Sequence, residues 1–224
     1  MFTKKFINNS DCNIFCTEVN NVLIKGNLIE GCPYFTGIPE YLYLKDLVSS
    51  TTYPTYESWK REYDKLKANN NTSAYLLALE IYNVNQDKPI IDYWLNTISK
   101  YFIDYTKQKL FYLSTTYDIW IVSNMPTVYL NPIKHYLPIN KILGVEYNRI
   151  IPYGEGKISR IISNTNIKKI YGYIGHEWNN DGPLLSYIRI NNKCHSDLLY
   201  VCYYNTSLVD KTNIYLYAIP FIYV

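Results

Sequence analysis

The spacing of apolar and polar positions changes period along the chain. Residues 13–16 and 22–24 are short apolar runs around a polar "TEVNN", which predicts a strand, a loop, and then a second strand or helix. From about residue 53 to residue 113 the spacing turns helical. Residues 57–66 read as a charged amphipathic helix that ends at the asparagine run 69–71. Residues 73–82 form a second such pattern, and 90–113 carry apolar positions three and four apart. The run "DIWIVSN" at 118–124 is continuously apolar, as strands buried on both faces of a parallel sheet are. Met125-Pro126 then opens a predicted helix to about Tyr136, proline being favoured in a first turn. "KILGVEY" predicts another strand, 158–170 a helix, and 170–175 a strand. The stretches 198–204 and 213–224, rich in Tyr, Val and Ile, predict two late strands.

Strands alternating with helices, with a helical block after the first strand, predict an α/β fold. Its core is a doubly wound, mostly parallel sheet formed by residues 1–40 and 114–224, with residues 41–113 inserted as a helical cap. Ligands of such sheets bind at the carboxyl ends of the strands. Those ends fall at residues 17–21, at Ser123 and Asn124, and at residues 175–181.

Composition narrows the function classes. With 48% hydrophobic and 18% charged residues, the 224-residue chain suits one globular domain with a sizeable core. A net charge of +3, with no basic run longer than two residues, excludes an electrostatic nucleic-acid surface. The 26 tyrosines reflect strand propensity and compositional bias rather than a base-stacking platform, because no basic groove accompanies them. Five cysteines (Cys12, Cys16, Cys32, Cys194, Cys202), with no CxxC pair, favour free thiols and a reducing compartment. Asn-x-Ser/Thr triplets at Asn8, Asn70, Asn71 and Asn205 are what chance gives in an asparagine-rich chain. The amino end lacks a signal-peptide apolar core, and the longest apolar stretch, 214–224, is half a membrane span. A soluble cytoplasmic protein is the expectation. The surplus of Tyr, Asn, Ile and Lys over Gly, Ala and Arg is that of an AT-rich genome, viral or microbial.

With three strand ends in that order and Lys157 at a helix start between the last two, the chain resembles the haloacid dehalogenase (HAD)-like phosphatase superfamily. The likeness covers about residues 13–187 and is nearest the phosphoserine phosphatase-like branch, which has its cap in this position. A closer likeness is to the amino-terminal phosphatase-like domain of plant glycerol-3-phosphate acyltransferases. It is carried by "VLIKGNLIEGCPYF", by "IWIVSNMPTVYLNPIKHYL" followed by "INKILGVEY", and by "YIGHEWNNDGPLLSY". The resemblance implies a HAD-like Rossmannoid core. It also implies an aspartate nucleophile at the first strand end and a second aspartate, two residues on, as general acid and base. Carboxylates hold Mg²⁺, while a Ser or Thr and a Lys neutralise the phosphoryl oxygens.

Aligned this way, Thr17 occupies the nucleophile position and Val19 the acid/base position. Glu18 is expected to point away from the face that Thr17 and Val19 share, because side chains alternate along an extended segment. A one-residue slip would place Glu18 at the second aspartate position and Cys16 at the nucleophile. In the last motif, Gly175 is followed by His176 where an aspartate is expected, and Asp181 matches the second acidic residue with one residue inserted. With Thr17 and Val19 at those positions, the resemblance leaves no catalytic residue and no metal. The phosphate-binding candidates are Ser123, Asn124 at the start of the next helix, and Lys157. Weak binding of phosphate or a phosphorylated metabolite follows as an expectation.

Rival patterns in the same residues are thin. His176 and Asp181 spell the H-x-x-x-x-D of glycerolipid acyltransferases, without the later motifs of that catalytic domain. His135, His176 and His195 lack metal-ligand spacing, and Cys194-His195 beside Asp197 reads better as a buried thiol next to a surface histidine. Three function classes remain. One is a catalytically impaired phosphatase-like domain kept for binding or protein interaction. The second is an active phosphatase with unusual ligands, which would need Mg²⁺. The third is a viral accessory protein that binds a host protein through the cap.

Overall fold

The computed structural model describes residues 13–69, 71–166, 169–191 and 197–224. Cys12, Cys194, His195 and the triplets at Asn8 and Asn70 lie outside the described residues. The first strand, β1 (Ile14–Thr17), is buried throughout its four residues. Five helices follow before the next strand: α1 (Ile38–Leu44), α2 (Tyr56–Ala68), α3 (Ala74–Glu80), α4 (Asp87–Asn96) and α5 (Asp104–Leu113). Next come β2 (Asp118–Pro126), α6 (Thr127–Leu130), β3 (Lys141–Val145), α7 (Glu155–Ile162), β4 (Ile170–Gly175) and α8 (Trp178–Asn191). The chain closes with β5 (Asp197–Cys202), α9 (Leu208–Leu216) and β6 (Phe221–Tyr223).

All six strands join one parallel sheet in the order β3-β2-β1-β4-β5-β6. Cys16 is in register with Trp120 on one side and Tyr173 on the other, and Thr17 with Ile121 and Ile174. The doubly wound α/β architecture with a helical insert, expected from the periodicity, is the one the chain adopts. β1 lies in the middle of the sheet, and the chain order turns outward on both sides of it. The crevice beyond the carboxyl end of β1 is therefore the place such a topology prepares for a ligand.

Alternation along the strands divides the core into two layers. Phe15, Ile119, Ile121, Ile174, Leu199 and Val201 face the insert and α6, packing with Trp59, Tyr63, Trp94 and Tyr129. Ile14, Cys16, Val122, Tyr173, Leu198 and Tyr200 face Ile161 of α7, Leu184 and Leu185 of α8, and Ile214 of α9. Each fully buried aliphatic side chain contributes on the order of 1.5–3 kcal/mol. The insert belongs to one of these two layers. Its α2 begins on a reciprocal cap between Thr55 and Ser58, which fixes where the helix enters the layer.

Several elements differ from the periodicity reading. The predicted helix 90–113 is two helices, α4 and α5, separated by a tight helical turn at Ile98–Tyr101. The helix predicted from Met125 is the single turn α6, followed by a tighter turn at Asn131–His135. That predicted over 158–170 is α7, which ends at Ile162. The stretch 213–224 is no strand: α9 occupies its first part, and only Phe221–Tyr223 join the sheet. Ser207 starts α9 by accepting a hydrogen bond from the Asp210 N–H at 3.0 Å. α1 and α8 are helices that the apolar periodicity does not predict. Among the described residues, no helix is long and apolar enough to cross a membrane.

Candidate functional site

Four buried polar side chains meet beyond the carboxyl end of β1. Glu18 follows the last residue of the strand, and its backbone N–H still bonds to the Ile174 carbonyl of β4 at 3.0 Å. Ser123 comes from β2, Lys157 from the first turn of α7, and Asp181 from the first turn of α8. Their residue exposures are 2% for Glu18 and 0% for Ser123, Lys157 and Asp181.

Alternation holds at the strand end, but it selects the opposite set of residues from the one the alignment chose. Positions 14, 16 and 18 share the α7/α8 face, where the charged groups are. Thr17 instead bonds its hydroxyl to the Glu18 carbonyl at 2.9 Å, and Val19 joins the hydrophobic layer under the insert. Thr17 and Val19 therefore do not face the polar crevice, and Glu18 does not point away from it. The residue two after Glu18 on that face is Asn20. Cys16, the nucleophile of the slipped alignment, is buried in the apolar layer, and burial holds its thiol proton on.

The hydrogen bonds of Glu18 are complete. Oε1 accepts from the Ser123 hydroxyl and from the Val19 N–H at 2.8 Å. Oε2 accepts from the Lys157 ammonium and from the Asn180 amide at 3.3 Å. The same ammonium donates to Asp181 Oδ1 and to the Tyr173 hydroxyl at 2.8 Å, and that hydroxyl donates to Asp181 Oδ1 at 2.6 Å. Asp181 Oδ2 accepts the backbone N–H groups of His176 at 2.7 Å and Glu177 at 3.1 Å, the open start of α8. One cation thus serves two carboxylates. Burial lifts the pKa of Glu18 above the usual carboxylate range, with Lys157 opposing and Asp181 adding to the rise. Burial acts on Asp181 too, but Lys157 and the His176 amide outweigh it and hold that carboxyl low. Lys157, although burial disfavours its charge, is held protonated by the carboxylates beside it.

Above this network lies a polar cavity of about 200 Å³, lined by Asn20, Asn27, Asn71, Tyr75, Asn124 and Asn180, among others. Lys67, Asn71, Thr72, Ala74 and Tyr75 reach it from the insert, so the helical block supplies one wall. His176 and Glu177 supply another. Of the phosphate-binding candidates, Asn124 lines the cavity, whereas Ser123 and Lys157 lie beneath it, hydrogen-bonded to Glu18. Lys67 is paired with Glu30.

The two-residue acyltransferase pattern does not form a dyad. Asp181 takes the backbone amide of His176, while the His176 ring places Nδ1 2.8 Å from the Val201 carbonyl. A carbonyl only accepts, so Nδ1 carries the hydrogen and Nε2 is left free. Nor do the donors fit magnesium, which needs converging oxygen ligands. The ammonium of Lys157 bonds to both buried carboxylates, Asp181 Oδ2 is held by two amides, and Asn20 Oδ1 accepts the Leu28 N–H at 3.1 Å. Among the described residues, no group of three His, Cys, Asp or Glu side chains could hold a metal ion.

No protein-family profile matches the chain, and no curated protein does. Solved structures do. A protein of unknown function from Bordetella pertussis Tohama I aligns with a TM-score of 0.69 over 94% of this chain and 98% of its own, at 10% identity. That likeness shows the shared fold. A haloacid dehalogenase-like family hydrolase from Streptococcus pneumoniae aligns over 96% of this chain and 94% of its own, with a TM-score of 0.46 and 9% identity. Bacillus subtilis YfnB, described as a HAD-hydrolase and bound to magnesium, aligns over 85% and 86%, with a TM-score of 0.44 and 11% identity.

Proposed function

We propose that the chain is a HAD-like phosphatase domain that has lost its catalytic step and is kept for binding. The observation that carries this reading is the closed network around Glu18. A phosphatase of this type needs a carboxylate oxygen free to attack phosphorus, and Ser and Lys groups free to neutralise the phosphoryl oxygens. Here Ser123 and Lys157 are bonded to the carboxylate itself, and all four of its contacts are made. Two residues on, Asn20 carries a carboxamide, which donates hydrogen bonds but is too weak an acid to serve a leaving alkoxide as general acid. The insert after β1 fits the phosphoserine phosphatase-like branch, and the motifs quoted above support a likeness to plant acyltransferase amino-terminal domains. The surplus of Tyr, Asn, Ile and Lys supports a source in an AT-rich virus or microbe.

The test is hydrolysis of p-nitrophenyl phosphate and glycerol-3-phosphate by purified protein with Mg²⁺. The expected turnover is no higher than that of Glu18→Gln. A second reading, an active phosphatase with Glu18 as nucleophile, is favoured by the same placement of Glu18 beside Ser123 and Lys157. Metal-dependent turnover abolished by Glu18→Gln would establish it in place of the first.

A further inference from the structure

The cavity carries more information about its guest than its ancestry does. Asn180 is 4% exposed, lines the cavity, and donates its amide to Glu18, yet its Oδ1 has no hydrogen-bond partner. A buried acceptor left unsatisfied costs about 1–3 kcal/mol, so a donor from a guest is worth a comparable amount there. His176, also in the lining, has Nε2 free once Nδ1 is fixed on the Val201 carbonyl. Glu177, exposed at the mouth, enters none of the ion pairs among the described residues. These lining groups can accept from a guest.

Other lining residues offer donors. Asn20, Asn27 and Asn71 line the cavity, and the Oδ1 of each accepts from backbone N–H groups nearby: Asn20 from Leu28, Asn27 from Ile29 and Glu30, and Asn71 from Ser73. These bonds fix the amides and leave Nδ2 as the group each can offer a guest. Those donors are neutral. The ionised groups at the cavity are carboxylates in excess, since Lys157 is shared by Glu18 and Asp181 and Lys67 is paired with Glu30. Among the described residues lining the cavity, a free phosphate would meet no lysine or arginine outside an ion pair.

We infer that the cavity binds a small, unphosphorylated polyhydroxyl molecule of about monosaccharide size, whose hydroxyls donate to Asn180 and accept from the Asn20, Asn27 and Asn71 amides. A hydroxyl both donates and accepts, which is the match for a lining that holds both acceptors and neutral donors. A cavity of about 200 Å³ takes a ring of that size in place of on the order of seven waters, at roughly 30 Å³ each. Tyr75 and Tyr153, stacked at 5.8 Å between centroids, add an aromatic side to the lining. This inference rests on the binding reading of the site and names the class of ligand.

The experiment is a titration of the full chain with glucose, glucosamine, glucose 6-phosphate and inorganic phosphate, read by calorimetry and backbone amide shifts. Glucose or glucosamine is expected to bind with an affinity on the order of millimolar. The shifts should gather at Asn20, Asn27, Asn71 and residues 176–181. Phosphate should cause none at the same concentrations. Asn180→Ala and, independently, Asn27→Ala should weaken sugar binding at least tenfold, each checked for an unchanged fold by circular dichroism. Failure of both sugars to bind, tighter binding of the phosphorylated compounds, or unchanged affinity in whichever variant folds would overturn the inference. Hydrolysis is measured separately, so a sugar-binding protein with phosphatase turnover would sink the impaired-enzyme reading while leaving this one standing.

Discussion

Lys157 is the residue on which the buried charges depend. Truncating one partner of a buried ion pair typically costs about 3–5 kcal/mol, because the charge left behind has lost both water and counterion. Lys157→Met leaves two such carboxylates, so a loss of at least that size is expected in urea unfolding at pH 7. Adding Asp181→Asn to Lys157→Met should recover part of it, and a double variant no more stable than the single one would show that the network is not electrostatic. Glu18 and Asp181 respond to pH with opposite signs. The raised pKa of Glu18 favours folding below its unfolded value of about 4.3, and that contribution is lost as pH rises through the folded value. The lowered pKa of Asp181 contributes stability above about pH 3.9, and that contribution is lost as pH falls through the folded value. Glu18→Gln keeps the neutral form at every pH. Its stability relative to the parent chain should therefore rise between pH 4 and pH 7, measured as the shift in urea midpoint. A constant gap would contradict the raised pKa. The sequence already showed that Glu18 opposes Thr17 and Val19. It could not show which side holds the ligands, because that depends on where α7 and α8 pack, and neither helix is near residue 18 in the chain.

At the scale of elements, the junction of β4 and α8 is built on a close approach. A side-chain carbon added to Gly175 would stand 2.6 Å from the Cβ of Asp181, the residue that holds the first amides of α8. Gly175→Ala must displace Asp181, and overpacking of this kind costs about 1–3 kcal/mol. The expected result is a lower melting temperature together with shifted His176 and Glu177 amide resonances. A variant as stable as the parent, with those resonances unmoved, would show that the junction has slack. The strand half of this junction was legible as an apolar run. The helix was not, because Gly182 and Pro183 read as breakers, and yet Pro183 lies inside α8, whose start is held by Asp181 on the His176 and Glu177 amides. α9 does carry a start signal in the sequence. Ser207 followed three residues later by Asp210 is a helix-start pattern, and the β-rich composition of the residues after it concealed it.

Over the whole molecule, the insert shares a buried layer with the sheet: Trp59, Tyr63 and Trp94 pack in the same cluster as Phe15, Ile121 and Val201. Insert and sheet should therefore unfold together. The four tryptophans are well placed to test this, with Trp59 and Trp94 in the insert, Trp120 in β2 and Trp178 in α8. Single-tryptophan variants should give coincident urea transitions with far-UV circular dichroism. An earlier transition reported by Trp59 and Trp94 alone would instead make the insert a separate unit. The class of the fold was legible because long apolar strands and helical spacing are properties of local sequence. The merging of insert and core was not, because it depends on which faces meet.

The central place of β1 also sets the order of events as the chain is made. Its neighbours β2 and β4 lie far along the sequence, Phe15 being in register with Ile119 and Gly172. At roughly 5–20 residues per second, about a hundred residues must still be synthesised before the first of these partners exists, a wait on the order of 5–20 seconds. Through that interval a strand whose four positions are all buried in the folded protein, three of them apolar, has neither ladder nor cover. A nascent chain of this design is expected to recruit holding chaperones at its amino end and to aggregate when they are depleted, which ribosome-bound chains halted before residue 118 would reveal.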